Sequence, residues 1–157
     1  MGTRAGTENT SSIVGLDKAL SLAMDHYDND KTYISGLKQY FIEQITEKVP
    51  EVKFNGLSAD PERSAFHILN VRFPLNKPML LFNLDLKGIA ASGGSACQSG
   101  SSKGSHVLAA ILNEEDAKHT SVRFSFSKFN SSKNVLCQGM TYLQIPSAKP
   151  SRLRDTL

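Results

Sequence analysis

The sequence predicts an α/β fold, more closely an α+β layer in which helices pack on one face of a small sheet. Two stretches with helical apolar spacing come first, and short strand-like stretches then alternate with helical ones. That order favours helices layered on a sheet. At 157 residues the chain is one domain or a little more, with mass enough for a single core.

Two amphipathic helices are predicted near the N-terminus, because apolar residues recur there every three or four positions. The first stripe consists of Ile13, Leu16, Leu20, Ala23, Met24 and Tyr27. We expect an N-cap within residues 10–12 and a break or bend at residues 28–30. The second stripe consists of Ile34, Leu37, Phe41, Ile45 and Val49, with Pro50 closing the helix. We expect both stripes to pack into the core.

The rest of the sheet layer follows from shorter patterns. The predicted elements are strand 52–54, strand 66–73, helix 79–86, a strand segment at 89–91 and strand 122–126. Asn55-Gly56 marks a turn after the first strand. Pro74 ends the second strand, and Gly88 stops the helix. The last strand alternates apolar residues with Arg123 and Ser125, which indicates one buried and one exposed face.

Residues 92–105 are rich in serine and hold four of the chain's 11 glycines and Cys97, one of its two cysteines. Such a segment cannot bury apolar surface, so it is predicted to be a mobile surface loop. Ser105 stands where the N-cap of a helix over 106–112 would lie. Composition alone favours a linker with an incidental thiol. A thiol held between two packed elements also suits a sulfur nucleophile.

The distribution of charge and the cysteine content argue against a nucleic-acid-binding protein and against a cysteine-ligated metal site. The net charge of +3 comes from residues 131–157, since residues 1–130 hold 14 basic and 14 acidic residues. Without a basic face, nucleic-acid binding is rejected. No apolar run approaches the ~20 residues of a membrane span, and no CxxC or His/Cys cluster suggests a metal site. The two dissimilar cysteines favour a reducing, cytoplasmic location.

Four motifs, at residues 88–97, 105–108, 121–125 and 4–16, together resemble the cysteine desulfurases, pyridoxal-phosphate enzymes of the class V aminotransferase group. Residues 88–97 read GIAASGGSAC, like the segment around the family's persulfide-forming cysteine. Residues 105–108 (SHVL) and 121–125 (SVRFS) continue the match. Residues 4–10 (RAGTENT) with 13–16 (IVGL) resemble the segment that leads out of the family's large domain. The resemblance covers about residues 3–130.

The resemblance implies a role for each matching residue. Cys97, as thiolate, would take the sulfur of L-cysteine bound to pyridoxal 5'-phosphate, releasing L-alanine. Its persulfide would then supply a sulfur-acceptor or scaffold protein in iron–sulfur cluster assembly or another sulfur-transfer pathway. Arg123 would hold the substrate's α-carboxylate; the alternative is an internal ion pair. Thr7, with Gly6, would contact the cofactor phosphate across a two-fold homodimer; the alternative is a helix cap.

The resemblance also implies what the chain leaves out. In the family the Schiff-base lysine follows a histidine in the large domain, and no segment here resembles it. We therefore expect the C-terminal part of a desulfurase, a fold-type I small domain, inactive alone. Residues 1–30 would be a junction and linker helix, 31–130 the small domain with its loop at 92–105, and 131–157 a divergent, poorly ordered tail.

Three other functions stay open at this point. The chain could be a non-catalytic interaction module that docks on an intact desulfurase or on a sulfur acceptor. It could be a stand-alone relay that carries persulfide on Cys97. It could also derive from a selenocysteine lyase or another class V enzyme, because the motif at 95–97 does not separate sulfur from selenium.

Overall fold

A computed structural model describes residues 6, 8–74, 79–93 and 105–133. Its helices and strands are α1 (Thr10–Asp25), α2 (Tyr27–Lys48), β1 (Lys53–Phe54), β2 (Ile68–Arg72), α3 (Leu80–Leu86), α4 (His106–Ile111), a 3-10 turn (Asp116–Lys118) and β3 (Ser121–Ser125). The predicted combination of helices with a small sheet is confirmed. The sheet is antiparallel, in the order β1-β2-β3.

The core forms where α2 meets one face of this sheet. The apolar stripe of α2 is buried together with alternate residues of β2 and β3, among them Leu69, Val71, Val122 and Phe124. The ring of Phe41 lies 4.9 Å from that of Phe124 and 5.5 Å from that of Phe126, between ring centroids. Aromatic pairs at this spacing stabilise beyond the area that they bury. The second predicted stripe is therefore confirmed as core.

The first predicted stripe is not core. No residue of α1 is buried, and its apolar positions are exposed to solvent within the described residues. The core expectation for α1 is therefore wrong, because the described residues offer it no apolar surface to cover its stripe. Its N-cap also differs, since the side chain of Asn9 accepts the Ser12 N–H at 3.2 Å. That bond satisfies a free helix donor one residue before the predicted cap range.

The break between the two helices falls at His26 rather than at residues 28–30. Asp28 and Asp30 lie in the first turn of α2, where the helix dipole stabilises negative charge. The backbone N–H of Asp30 donates to the His26 carbonyl at 2.9 Å, which continues the helix through this segment. The acidic residues therefore begin a helix and do not interrupt one.

Gly88 ends α3 as predicted, with a left-handed backbone (φ 75°). The N–H of Ile89 donates to the Leu84 carbonyl at 3.0 Å and that of Gly88 to the Asp85 carbonyl at 2.8 Å. These two bonds form a Schellman motif. They commit the Ile89 N–H to the helix end, so the strand predicted at 89–91 does not form, and the chain meets the sheet at Ser92 instead.

Candidate functional site

Arg123 lies at the centre of β3 with an exposed side chain, opposite Asn70 of β2. Strand alternation sends its neighbours Val122 and Phe124 into the core and Arg123 to the other face. The guanidinium forms no ion pair with any described residue. The internal ion pair considered as an alternative is therefore absent from the described part of the chain.

The segment that leads to Cys97 begins on the backbone of Arg123. Ser92 and Arg123 form an antiparallel bridge, in which the Ser92 N–H donates to the Arg123 carbonyl at 3.1 Å and the Arg123 N–H donates back at 2.7 Å. Gly93 follows Ser92 and packs beside α3 and β3. A Cβ there would lie 3.4 Å from the Leu81 side chain and 3.6 Å from the Ser121 carbonyl, which are ordinary van der Waals distances.

The other end of the same segment is fixed by Ser105, which caps α4 as predicted. Its side-chain oxygen accepts the Leu108 N–H at 3.4 Å, and its backbone is extended. Cys97 itself lies outside the described residues, as does Thr7. The structure therefore fixes Ser92 and Ser105, the anchor points on each side, and brings the first of them onto Arg123.

The described residues do not form a pyridoxal-phosphate site. Gly6 is exposed with φ 125°, and a Cβ placed on it would meet no described atom within 4 Å, so the predicted phosphate contact from a dimer partner stays a prediction. Lys38 is the buried lysine of the described residues, and its ammonium already donates to Ser64 Oγ at 2.8 Å and to the Ala65 carbonyl at 3.0 Å.

Lys38 was not identified from the sequence. It lies within the apolar register of α2 and lines a cavity of about 520 Å³ with Ile42, Ala59 and Phe66. Burial lowers the pKa of its ammonium from the usual lysine value, while the charge of Asp60 acts in the opposite direction. Its two hydrogen bonds connect α2 to the loop before β2, which indicates a structural role.

Arg72 is the second buried cation that sequence reasoning missed. It is 8% exposed and stands opposite Lys53 in the β1–β2 register. The two line a cavity of about 360 Å³ with Glu51, Asp116 and His119. The signal that could have found this cluster is the register itself, because only strand pairing brings residues 53 and 72 together.

The described residues contain neither a candidate metal site nor a helix that could cross a membrane. No group of three or more His, Cys, Asp or Glu side chains is placed to hold a metal ion there. None of the helices in that part of the chain has the length and hydropathy to cross a membrane.

The chain is similar to a known protein family and to several curated proteins. A family model described as aminotransferase class-V matches residues 1–137. The cysteine desulfurase IscS of Clostridium botulinum (strain Hall) is 39% identical over 135 residues, which cover 85% of this chain and 34% of that protein. The cysteine desulfurase of Rattus norvegicus is 37% identical over 134 residues, covering 85% and 29%. The chain thus spans about a third of the length of the curated relatives that it matches.

The chain is also similar in fold to solved structures of NifS-like proteins. A NifS-like protein from Rickettsia africae superposes with a TM-score of 0.65 at 26% identity, covering 84% of this chain and 33% of the other. A second NifS-like protein superposes with a TM-score of 0.69 at 22% identity, covering 90% and 34%, which supports the fold.

Proposed function

The chain belongs to the class-V aminotransferase family, and from that premise we propose that it is the sulfur-carrying part of a cysteine desulfurase. Cys97 accepts sulfur from L-cysteine as a persulfide, L-alanine leaves, and an acceptor or scaffold protein takes the sulfur for iron–sulfur cluster assembly or another transfer pathway. Relatives named cysteine desulfurase support the activity class.

One observation carries the proposal, namely the bridge between Ser92 and Arg123. Cys97 is five residues beyond Ser92 in the sequence. Five residues extend at most about 18 Å, so the thiol stays within reach of the exposed Arg123 guanidinium. A guanidinium recognises a carboxylate through paired hydrogen bonds. Arg123 would therefore bind the α-carboxylate of a cysteine whose sulfur faces Cys97.

The chemistry that Cys97 performs is thiol exchange. As thiolate it forms a bond to the substrate sulfur while the sulfur–carbon bond breaks; the electron pair of that bond stays with the carbon, which takes up a proton as the methyl group of alanine, and the transferred atom remains as the outer sulfur of a persulfide. An acceptor thiolate then attacks that outer sulfur and Cys97 leaves again as a thiolate. The second step transfers one sulfur atom between thiols and needs neither oxidant nor reductant.

Pyridoxal phosphate, on which the family depends, would be held largely by residues outside the part of the chain that the structure describes. When bound it supplies the electron sink that weakens the substrate's sulfur–carbon bond. The domain assignment is part of the proposal: residues 1–30 as junction and linker helix, 31–130 as the small domain, 131–157 as a divergent tail. Thr7 and Gly6 would touch the cofactor phosphate of a dimer partner.

The central test is sulfur loading of the full chain. We incubate the reduced protein with an intact cysteine desulfurase, pyridoxal phosphate and L-cysteine, and then measure intact and peptide masses. The expected result is a gain of one sulfur atom on the Cys97 peptide, removed by a reducing thiol. Cys97→Ser abolishes the gain, whereas the matched control Cys137→Ser retains it. A gain shared equally by both cysteines, or no gain, would contradict the proposal.

A second measurement addresses the catalytic assembly. The chain alone is expected to show neither a cofactor absorption band nor alanine production from cysteine. With the N-terminal part of a relative supplied in trans, alanine production should appear, and Arg123→Gln should raise KM for cysteine more than it lowers kcat, because it removes a substrate contact. Alanine production by the chain alone would show that it holds a complete cofactor site.

A second candidate function is supported by the exposed stripe of α1. Leu16 is 70% exposed, Leu20 60% and Met24 66%, all at helical spacing. Exposed apolar patches mark interaction surfaces, so the chain could act as a docking module for an intact desulfurase without its own chemistry. Co-purification that is lost in the double variant L16S/L20S but kept in Cys97→Ser, with partner activity unchanged, would favour this function over the first.

A further inference from the structure

We propose that the cavity between the C-terminal end of β2 and the 3-10 turn, which Arg123 does not line, binds a small α-amino acid as a zwitterion. Glu51, Lys53, Arg72, Asp116 and His119 supply its charged and polar lining. The inference does not depend on the desulfurase proposal, because none of these residues has a role in it.

The first observation is a pair of like charges held side by side. Lys53 of β1 and Arg72 of β2 are direct partners in the strand register. Like charges directly opposite each other destabilise a strand pair. Two cations in this position therefore need negative charge nearby, and the same cavity supplies it from Glu51 and Asp116.

The second observation is that Arg72 is buried but not satisfied. Its Nη1 lies 3.1 Å from Asp116 Oδ2, within ion-pair distance, yet has no hydrogen-bond partner. A buried donor without a partner costs free energy. Arg72 is only 8% exposed, so solvent does not compensate for the missing bond. A ligand carboxylate that drew the guanidinium into a bidentate arrangement would satisfy it.

The arrangement of charge selects the class of ligand. Two cations and two carboxylates line one space, so a doubly negative phosphate would gain from Lys53 and Arg72 but be repelled by Glu51 and Asp116. A zwitterion avoids this conflict, since its carboxylate meets the two cations and its ammonium the two carboxylates. The volume of about 360 Å³ is at the small end for ligand sites.

The remaining lining fits a short side chain. Pro74 and the backbone of Phe73, whose side chain is buried in the core, complete the lining without adding charge. His119 is oriented by the bond between its Nδ1 and the Glu115 carbonyl at 3.1 Å. These features suit a small aliphatic amino acid such as alanine better than a bulky or strongly charged one.

The test is calorimetric titration of the full chain with L-alanine, acetate, methylammonium and inorganic phosphate. We expect saturable binding of alanine that is about tenfold tighter than binding of acetate or methylammonium, because each of these carries only one of the two charges. Phosphate binding tighter than alanine, or no saturable alanine binding, would overturn the proposal.

Variants locate the site. Lys53→Gln lies on an exposed edge-strand position and should keep the fold while weakening alanine binding about tenfold. Arg72→Gln should weaken alanine binding further, and circular dichroism would verify that this variant is folded. Lys18→Gln on α1 removes an equal charge elsewhere and should have no effect. Loss of binding in Arg123→Gln would assign alanine to the sulfur-transfer site and refute a separate one.

Discussion

The two N-terminal helices carry the same sequence signal and have opposite environments. Both have apolar residues every three or four positions, but α2 buries its stripe against the sheet, whereas α1 buries none of its residues. Ile45 of α2 is 0% exposed, and Leu20 of α1 is 60% exposed. Apolar periodicity therefore predicts that a helix has a face to cover, and says nothing about which surface covers it.

The contacts of the two helices explain the difference. The N-terminal half of α2 is held by bonds to distant parts of the chain: Tyr33 donates to the Asn130 carbonyl at 2.8 Å, and Asp30 pairs with Lys128 at 2.9 Å. The side-chain bonds at α1 are local, from Ser12 to Asn9 and from Ser21 to Asp17. Of the two helices, only α2 is therefore bonded through its side chains to distant parts of the described chain.

The largest effect is expected for Phe41→Ala in α2. This side chain is 5% exposed and contacts the rings of Phe124 and Phe126. Truncation leaves a cavity and removes two aromatic contacts, so the free energy of unfolding should fall by about 3–5 kcal/mol. Urea unfolding followed by circular dichroism measures it. A loss below about 1 kcal/mol would mean that α2 is no more essential to the core than α1.

An intermediate effect is expected for Lys38→Met, read out against pH. Burial lowers the pKa of the folded-state ammonium, so between that pKa and the unfolded value the native state binds fewer protons than the unfolded state. The wild-type stability should therefore rise as pH increases through that alkaline window. Lys38→Met loses the bonds to Ser64 and Ala65, but it also removes a buried charge. Because these two effects oppose each other, the free energy of unfolding of the variant should stay within about 1 kcal/mol of wild type at neutral pH.

The pH dependence of the unfolding free energy distinguishes the buried Lys38 from an exposed lysine of the same helix. Lys38→Met should lose the alkaline rise in stability, whereas Lys31→Met, at an exposed position of the same helix, should retain it. Equal pH profiles in the two variants would show that burial of the Lys38 ammonium has no energetic consequence.

The smallest effect on stability is expected in α1. L16S/L20S changes two exposed side chains, so the free energy of unfolding should change by no more than about 0.5 kcal/mol per site. Self-association measured by sedimentation should decrease instead, because the apolar patch is smaller. A loss of stability comparable to that of Phe41→Ala would show that α1 packs onto the core in solution.

The sequence predicted those parts of the fold that depend on local chemistry. Gly88 ends α3 because only a glycine takes the left-handed backbone of a Schellman motif easily, and Ser105 caps α4 through its hydroxyl. The predicted strand at 89–91 failed because the same motif uses the Ile89 N–H. Competition between a helix end and a sheet for one donor is not visible in residue patterns.

Features that depend on strand register could not be predicted. Lys53 and Arg72 are far apart in sequence and meet only because β1 and β2 pair in one particular register. Arg123 was identified through resemblance, but the bridge from its backbone to Ser92 follows from tertiary pairing. Cys97 was identified in the same way and stays a prediction, since it lies outside the described residues.

The bridge to Ser92 uses only the backbone of Arg123 and leaves its side chain out of the contact. The peptide N–H and carbonyl of Arg123 hold Ser92, while its side chain is exposed on the face of the sheet opposite the core. If Arg123 binds a carboxylate as proposed, exchanging its side chain would alter the ligand preference of this face without shifting Ser92, the point from which the cysteine segment departs. Shortening or lengthening residues 93–96 would do the reverse, keeping the cation in place and changing how far the thiol extends from it.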